Sequence, residues 1–338
     1  MLSRLLSLVA RRPVAAGLAV VCAAVTLAVA VFQAAGQAEY ASFVSRLRTV
    51  AATAPSGGSR TLALEFRFRG KTRRVSVSVS EAYLRAVRGL PTEKVFYSEA
   101  GIRNRYVSTL VSDQASGPVV EGLARGMRAL KQELRLDDDE YVELLACAVQ
   151  STRYGVPSWR IQLPAELLAS GEGVCTGRSV LLASLLVHEG YDTVVWVFGN
   201  EHHVAVGVRG QGSGFHGSGY AYIETTRRAY VTDAAGAYAA AGQVAWAPQM
   251  ISVGGSRRYG ADIAAQFVTD RFERVRSRGS ALSRFPVYAR TAADPWRQCY
   301  AGLAVEHSAA TDLERRIAAS VDDRPAMFAL LTASGLGR

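Results

Sequence analysis

Three side chains, far apart in the chain, have the types and settings that thiol-based acyl transfer needs. Cys175 follows the glycine-punctuated stretch Ser170-Gly-Glu-Gly-Val and stands at the mouth of a predicted helix from Thr176 to Glu189, ended by Gly190. A helix N-terminus and a neighbouring imidazole both favour the thiolate form of a cysteine, which is the nucleophile. Flanking Gly173 and Gly177 would let a substrate backbone come close. Taken alone, Cys175 suits a small buried hydrophobe at least as well.

The base and its partner come from an expected hairpin. The runs His203 to Val208 and Gly219 to Thr225 read as antiparallel strands around a loop centred near Ser213 and Gly214. That register sets Gly207 opposite Tyr220, Ala205 opposite Tyr222 and His203 opposite Glu224. Opposed residues share one face of a sheet with Cβ atoms about 4.5–5.5 Å apart, so Glu224 could hold one ring nitrogen of His203 and leave the other for Cys175. Val204, Val206, Val208, Ala221 and Ile223 would form the core face, and a one-residue slip would turn His203 in among the valines. In this register His202 points to the core side as a packed or edge histidine. His188 and His216, in a helix end and a loop, receive no role.

The elements that must position these residues are legible as patterns. Thr61 to Val79 reads as a β-hairpin split at Gly70 and Lys71, with Leu62, Leu64, Phe66 and Phe68 on one face. Gly117 and Pro118 announce a helix carrying Val120, Leu123, Met127, Leu130 and Leu134. Asp137 to Asp139 place carboxylates at the start of another, with Tyr141, Leu144, Leu145, Ala148 and Thr152 as its buried stripe, so this charge run is a helix cap and not a metal site. Thr193 to Phe198 is a third strand. Beyond Thr232 the signal weakens to one helix near Ile263 to Val275 and two more within residues 294–334.

The stretch from Asp138 through EYVELLACAVQS and Tyr154, then LPAELLASGEGVC, SVLLASLLVHEGYDTVVWV, HVAVGV and YAYIETT, resembles the transglutaminase-like families of bacteria and archaea. The resemblance covers residues 138–232. It implies an α+β fold: a papain-like or transglutaminase-like core in which a Cys-bearing helix packs on an antiparallel β-sheet, preceded by one N-terminal transmembrane helix. It also implies Cys175 as nucleophile, His203 as base, Glu224 as third member, and no metal or other cofactor. Gln150, in the VQS before the Cys loop, is a weaker candidate for polarising the acyl oxygen beside the Cys175 N–H, the alternative being an exposed helix face. Many members read Gly-Asp-Cys-Glu-Asp where this chain has Gly173-Val-Cys-Thr-Gly177, whereas other transglutaminase cores share Gly-Val-Cys. The implied activity is hydrolysis of peptide or carboxamide bonds on a peptide or protein substrate. An inactive transglutaminase-like module that binds a peptide or partner at the cell surface is the alternative, and a membrane assembly factor acting through the C-terminal region is a third.

Arg4, Arg11 and Arg12 precede an uncharged run from Pro13 to Ala38, whose apolar part, Val14 to Phe32, is about long enough to span a bilayer. Positive charge before the span keeps the amino terminus in the cytoplasm and sends the rest outside, periplasmic or on the cell surface. A cleaved signal peptide, with Gly36 and Ala38 before the cut, is the rival. Export leaves Cys147, Cys175 and Cys299 in an oxidising compartment, an odd number that keeps at least one thiol free unless chains pair. The formal charge of +10 is nearly all arginine, since Lys71, Lys94 and Lys131 are the only lysines. The pairs Arg73/Arg74, Arg227/Arg228 and Arg257/Arg258 are scattered without stacking aromatics, which argues against nucleic acid as a partner. The expected organisation is a cytoplasmic stub and anchor (1–38), a linker (39–60), an N-terminal hairpin and helices (61–136), the catalytic core (137–232) and a C-terminal extension (233–338).

Overall fold

The computed structural model describes residues 13–51, 57–68, 71–92, 100–112, 116–155, 160–199, 202–210, 214–226, 231 and 248–260. It opens with one unbroken helix, α1 (Pro13–Ala51). Leu18, Val21, Val25, Leu27 and Phe32 stand exposed on it, and the segment is long and apolar enough to cross a bilayer, a pattern that a signal sequence shares. The helix does not end where the apolar run ends. Phe43, Leu47 and Val50, spaced by four and three residues, turn into the main core. Phe43 stacks on Tyr106 at 4.8 Å between ring centroids, and Tyr40 Oη shares a 2.9 Å hydrogen bond with Thr109 Oγ1. Residues 39–51, expected as linker, are therefore a docked helix. The mixed polar composition of that stretch masks its single apolar stripe.

The hairpin follows the alternation of its sequence. In β1 (Ser59–Phe68) and β2 (Lys71–Ser80), Leu62 faces Val77 and Leu64 faces Val75, and Leu62, Leu64, Phe66 and Phe68 are buried. Next come α2 (Glu81–Arg88), α3 (Ala100–Ser112) and α4 (Gly117–Leu134), the last with proline in its first turn as predicted. In α5 (Asp138–Gln150) the Asp137 carboxylate accepts from the Glu140 N–H at 2.8 Å while Glu140 reaches back to the Asp137 N–H at 3.1 Å, a complete capping box. Asp138 pairs instead with Lys131 and Arg257. Every residue of α5 from Tyr141 to Gln150 is buried, and Thr152, expected on its stripe, lies past its end.

A short parallel pair, β3 (Arg153–Tyr154) with β4 (Glu172–Gly173), brackets α6 (Pro164–Ser170) and delivers the chain to α7 (Cys175–His188). Helix α7 is apolar on almost every side and packs against α3, α4, α5 and the main sheet. That sheet is antiparallel in the order β7-β6-β5-β8, from β5 (Thr193–Phe198), β6 (His203–Arg209), β7 (Tyr220–Ile223) and β8 (Gln249–Gly254). Strand β8 lies beyond residue 232, so the sheet outruns the expected core boundary. With only Ile251 and Val253 buried, it offers too short an alternation to stand out. The helices expected at 263–275 and 294–334, and Cys299, fall outside the described residues.

The register of β6 with β7 differs from the expected one by two residues: Gly207 faces Tyr222 and Arg209 faces Tyr220. A 3-10 turn at Phe215–Gly217 takes up the far side of the loop, where Phe215 buries its ring against Trp196 and Tyr222, and this moves the turn centre. A shift of two leaves every side chain on its expected face. Val206, Val208, Ala221 and Ile223 join the main core, while Val194, Trp196, Phe198, Ala205, Tyr220 and Tyr222 form a second cluster on the opposite face.

Candidate functional site

Cys175 is the first residue of α7, behind an extended Val174 that offers no side-chain cap to the helix N-terminus. Residues three and four further on share its face, so Cys175, Arg178 and Ser179 point the same way. Ser179 Oγ donates to the Val204 carbonyl at 3.1 Å and shares a 3.1 Å hydrogen bond with Thr225 Oγ1, tying α7 to β6 and to the segment after β7. The glycines around Cys175 serve the chain itself. A Cβ on Gly173 would meet Leu167 and Gln162, and one on Gly177 would meet Gln162, so the space expected for a substrate backbone is filled from within.

His203 opens β6, immediately after His202, which has a left-handed φ of 50°. The turn exposes His202, correcting its expected place on the core side. His203 is buried, its ring 5.6 Å from that of Phe198. Its Nε2 lies 3.1 Å from Glu224 Oε2. Continuing the observed register would set Ala205, not His203, opposite Glu224, so the pair meets on the diagonal. Glu224 sits just past the end of β7 and is fully buried. Its Oε2 also accepts from Tyr222 Oη at 2.8 Å, and its Oε1 accepts from the Thr225 N–H at 2.9 Å, the Thr226 N–H at 2.7 Å and Thr226 Oγ1 at 2.6 Å. The Cys175 thiol lies within electrostatic reach of the same imidazole, its Sγ 4.0 Å from the His202 carbonyl. Cys175, His203 and Glu224 are thus brought together.

No family model, curated protein or solved structure matches this chain.

The electrostatics follow from this arrangement. Burial works against a charged His203, but the influence of the nearby Cys175 sulfur and the hydrogen bond that the ring donates to the Glu224 carboxylate, with the charge of that carboxylate, overcome it and raise the imidazole to about 9. Burial likewise pushes the Glu224 carboxyl up, and the hydrogen bond and charge of His203 with the Thr226 donors outweigh it, leaving it below the ordinary carboxylate range. An imidazole between a sulfur and a carboxylate is the arrangement a proton shuttle requires, and the raised value favours the ring form that carries the proton.

Gln150 is buried, which overturns the exposed-face alternative, and its Nε2 donates to the Glu224 carbonyl at 2.8 Å. That contact makes it a support of residue 224. Among the described residues no group of His, Cys, Asp and Glu has metal-ligating geometry. Cys147 is buried, its Sγ 3.2 Å from the Arg67 carbonyl.

Sequence reasoning missed three members of the site. Tyr222 shares a strand face with Glu224 at a spacing of two, a signal available in the alternation. Arg178 is the only arginine or lysine in α7, one turn from Cys175, which is an equally available signal. Tyr154, 52% exposed, lays its ring 5.4 Å from the Arg178 guanidinium. Burial, and then the nearby charge of Cys175, raise its phenol, while the Arg178 charge pulls the other way.

Proposed function

We propose that this protein is a membrane-anchored, extracytoplasmic cysteine enzyme of transglutaminase-like, papain-like type, most of whose turnover is hydrolysis of peptide or carboxamide bonds. The observation that carries the proposal is that one buried imidazole, His203, meets the buried Glu224 carboxylate at 3.1 Å, while the thiol at the start of α7 lies within electrostatic reach of the same ring, its Sγ 4.0 Å from the His202 carbonyl. In this reading the proton of the Cys175 thiol already rests on His203 when substrate arrives, and the sulfur attacks the substrate carbonyl carbon. The carbonyl electrons move onto oxygen and return as the C–N bond breaks, with His203 giving its proton to the departing amine or ammonia. The resulting thioester is then opened by water, or by a second amine in transfer. Glu224 holds the ring in one tautomer and balances the imidazolium. The apolar stretch of α1 supports the membrane anchor, and the arginines at 4, 11 and 12 support an outward-facing domain.

The test uses the full chain in detergent. Iodoacetamide labelling of the Cys175 peptide is followed by mass spectrometry at pH 7, alongside release of amine from a peptide-amide library by the wild type and by Cys175→Ala. We expect labelling at least about tenfold faster than an ordinary peptide cysteine, and release that Cys175→Ala abolishes. Labelling no faster than the peptide control would remove the enzyme and leave a surface module that binds peptide.

A further inference from the structure

We propose that Arg178 is a positioning residue of this site: its buried guanidinium fixes the backbone that cradles the Glu224 carboxylate and supplies a standing positive charge to the Cys175 and Glu224 anions. The proposal rests on the thiol-enzyme reading above and adds to it a residue that tunes the thiol.

Arg178 is 1% exposed, a rare condition for a guanidinium, which is normally buried only against a carboxylate. Among the described residues no carboxylate forms an ion pair with it. Its Nη1 donates to the carbonyls of Thr225 at 3.1 Å and Thr226 at 3.2 Å, its Nη2 donates to the Thr152 carbonyl, and its Nε has no hydrogen-bond partner. Thr225 and Thr226 are the residues whose N–H groups and hydroxyl hold Glu224 Oε1. Thr152 lies two residues before Tyr154, whose ring covers the guanidinium. One side chain therefore joins three segments: the Cys175 helix that carries it, the loop that binds Glu224, and the strand that brings Tyr154 to the thiol.

A purely architectural tie would not need a charge here. Carbonyl acceptors can be satisfied by neutral donors, and burying a cation without a contacting anion is costly. Burial lowers the Arg178 guanidinium to about 10, and the opposing influences are Tyr154, Glu224 and Cys175, all members of the site. The charge is thus held one turn along the helix from Cys175 and against the loop that cradles Glu224.

The experiment measures iodoacetamide alkylation of the Cys175 peptide from pH 5 to 10 in the full chain, for the wild type, Arg178→Met and Arg178→Lys. Loss of the charge in Arg178→Met is expected to move the pH of half-maximal alkylation up by about one unit and to slow alkylation about tenfold at pH 7. Arg178→Lys keeps the charge, so its midpoint should stay at the wild-type value. A midpoint in Arg178→Met that coincides with the wild type overturns the proposal. Should Arg178→Met fail to fold, Arg178→Gln, which keeps a polar donor without the charge, takes its place: a midpoint displaced upward by a unit supports the role of the charge, and one at the wild-type value refutes it. If the wild type itself alkylates like a peptide cysteine, the enzyme reading falls, which is a different result from failure of the Arg178 role.

Discussion

Replacing Glu224 with Gln changes one oxygen for an amide nitrogen at nearly constant volume, in a site where every position is already committed. The three donors at Oε1 come from the backbone and hydroxyl of residues 225 and 226, so the Gln carbonyl oxygen must take that side. Its NH2 then faces Tyr222 Oη and His203 Nε2, two groups that donate to the carboxylate in the wild type. To avoid a donor–donor clash, His203 Nε2 must become an acceptor, which moves the ring proton to Nδ1, the nitrogen left for the sulfur. The imidazolium also loses its closest anion while its burial stays the same. His203, raised to about 9 with Glu224 present, should fall by at least about 2 units, worth roughly 3 kcal/mol of imidazolium stabilisation.

The sign of the linked stability follows. With its folded value raised above the ordinary 6.5, His203 stabilises the native state fully below pH 6.5, and that contribution is lost as pH rises through about 9. In Glu224→Gln this pH window should close. The direct assay is a long-range nitrogen–proton correlation spectrum of the imidazoles across pH 5 to 10, with His203 assigned by its absence in His203→Asn. The supporting assay is the difference in urea midpoint between pH 6 and pH 10, wild type against variant, which cancels the other titrating groups. Cys175 alkylation at pH 7 should slow about 10²-fold. A His203 midpoint within half a unit of the wild type in Glu224→Gln would refute the reasoning.

Two further outcomes test the frame around the site. A chain beginning at Gln33 keeps the docked end of α1, whereas one beginning at Gly57 loses the buried Phe43, Leu47 and Val50, each worth about 1.5–3 kcal/mol. Urea unfolding followed by tryptophan fluorescence should place the shorter chain at least about 4 kcal/mol below the longer one, and equal midpoints would restore the linker. Gly255 has φ +93° and would set a Cβ inside the contact distance of the Tyr191 carbonyl, where the chain leaves β8. Gly255→Ala should therefore cost about 2 kcal/mol or more, read as a fall in the thermal midpoint, and an unchanged midpoint would mean that the end of β8 does not hold this course.

The site was legible because its parts lie on local patterns. A glycine-rich approach, a helix start and an alternating strand can each be read within a dozen residues, and they placed Cys175, His203 and Glu224 on the correct faces. The register was misjudged by two residues because the loop holds a buried aromatic, Phe215, whose place is decided by Trp196 and Tyr222 across the sheet. An even error is invisible to a face argument, which is why His203 and Glu224 still meet on one face. The exposed-face alternative for Gln150 and the open space expected at the two glycines failed for a related reason. A helix pattern gives no sign that α5 is buried on all sides, and a glycine before a cysteine looks the same whether Gln162 or a ligand fills the space.

The same contrast between local and distant information bears on how the site is held. Each half of the His203–Glu224 pair is anchored by elements that the pattern of its own strand does not name. The loop at 224–226 is gripped by Gln150 from α5 and by Arg178 and Ser179 from α7, and His203 is bounded by Phe198 of β5. Because α5, α7 and the far end of α1 belong to one continuous core, a disturbance at the N-terminal helix has a packed route to the helix that carries the thiol, through α3. Reactivity of Cys175 in the chain beginning at Gly57 should therefore fall with its stability, and a domain hung on a flexible linker would show no such dependence.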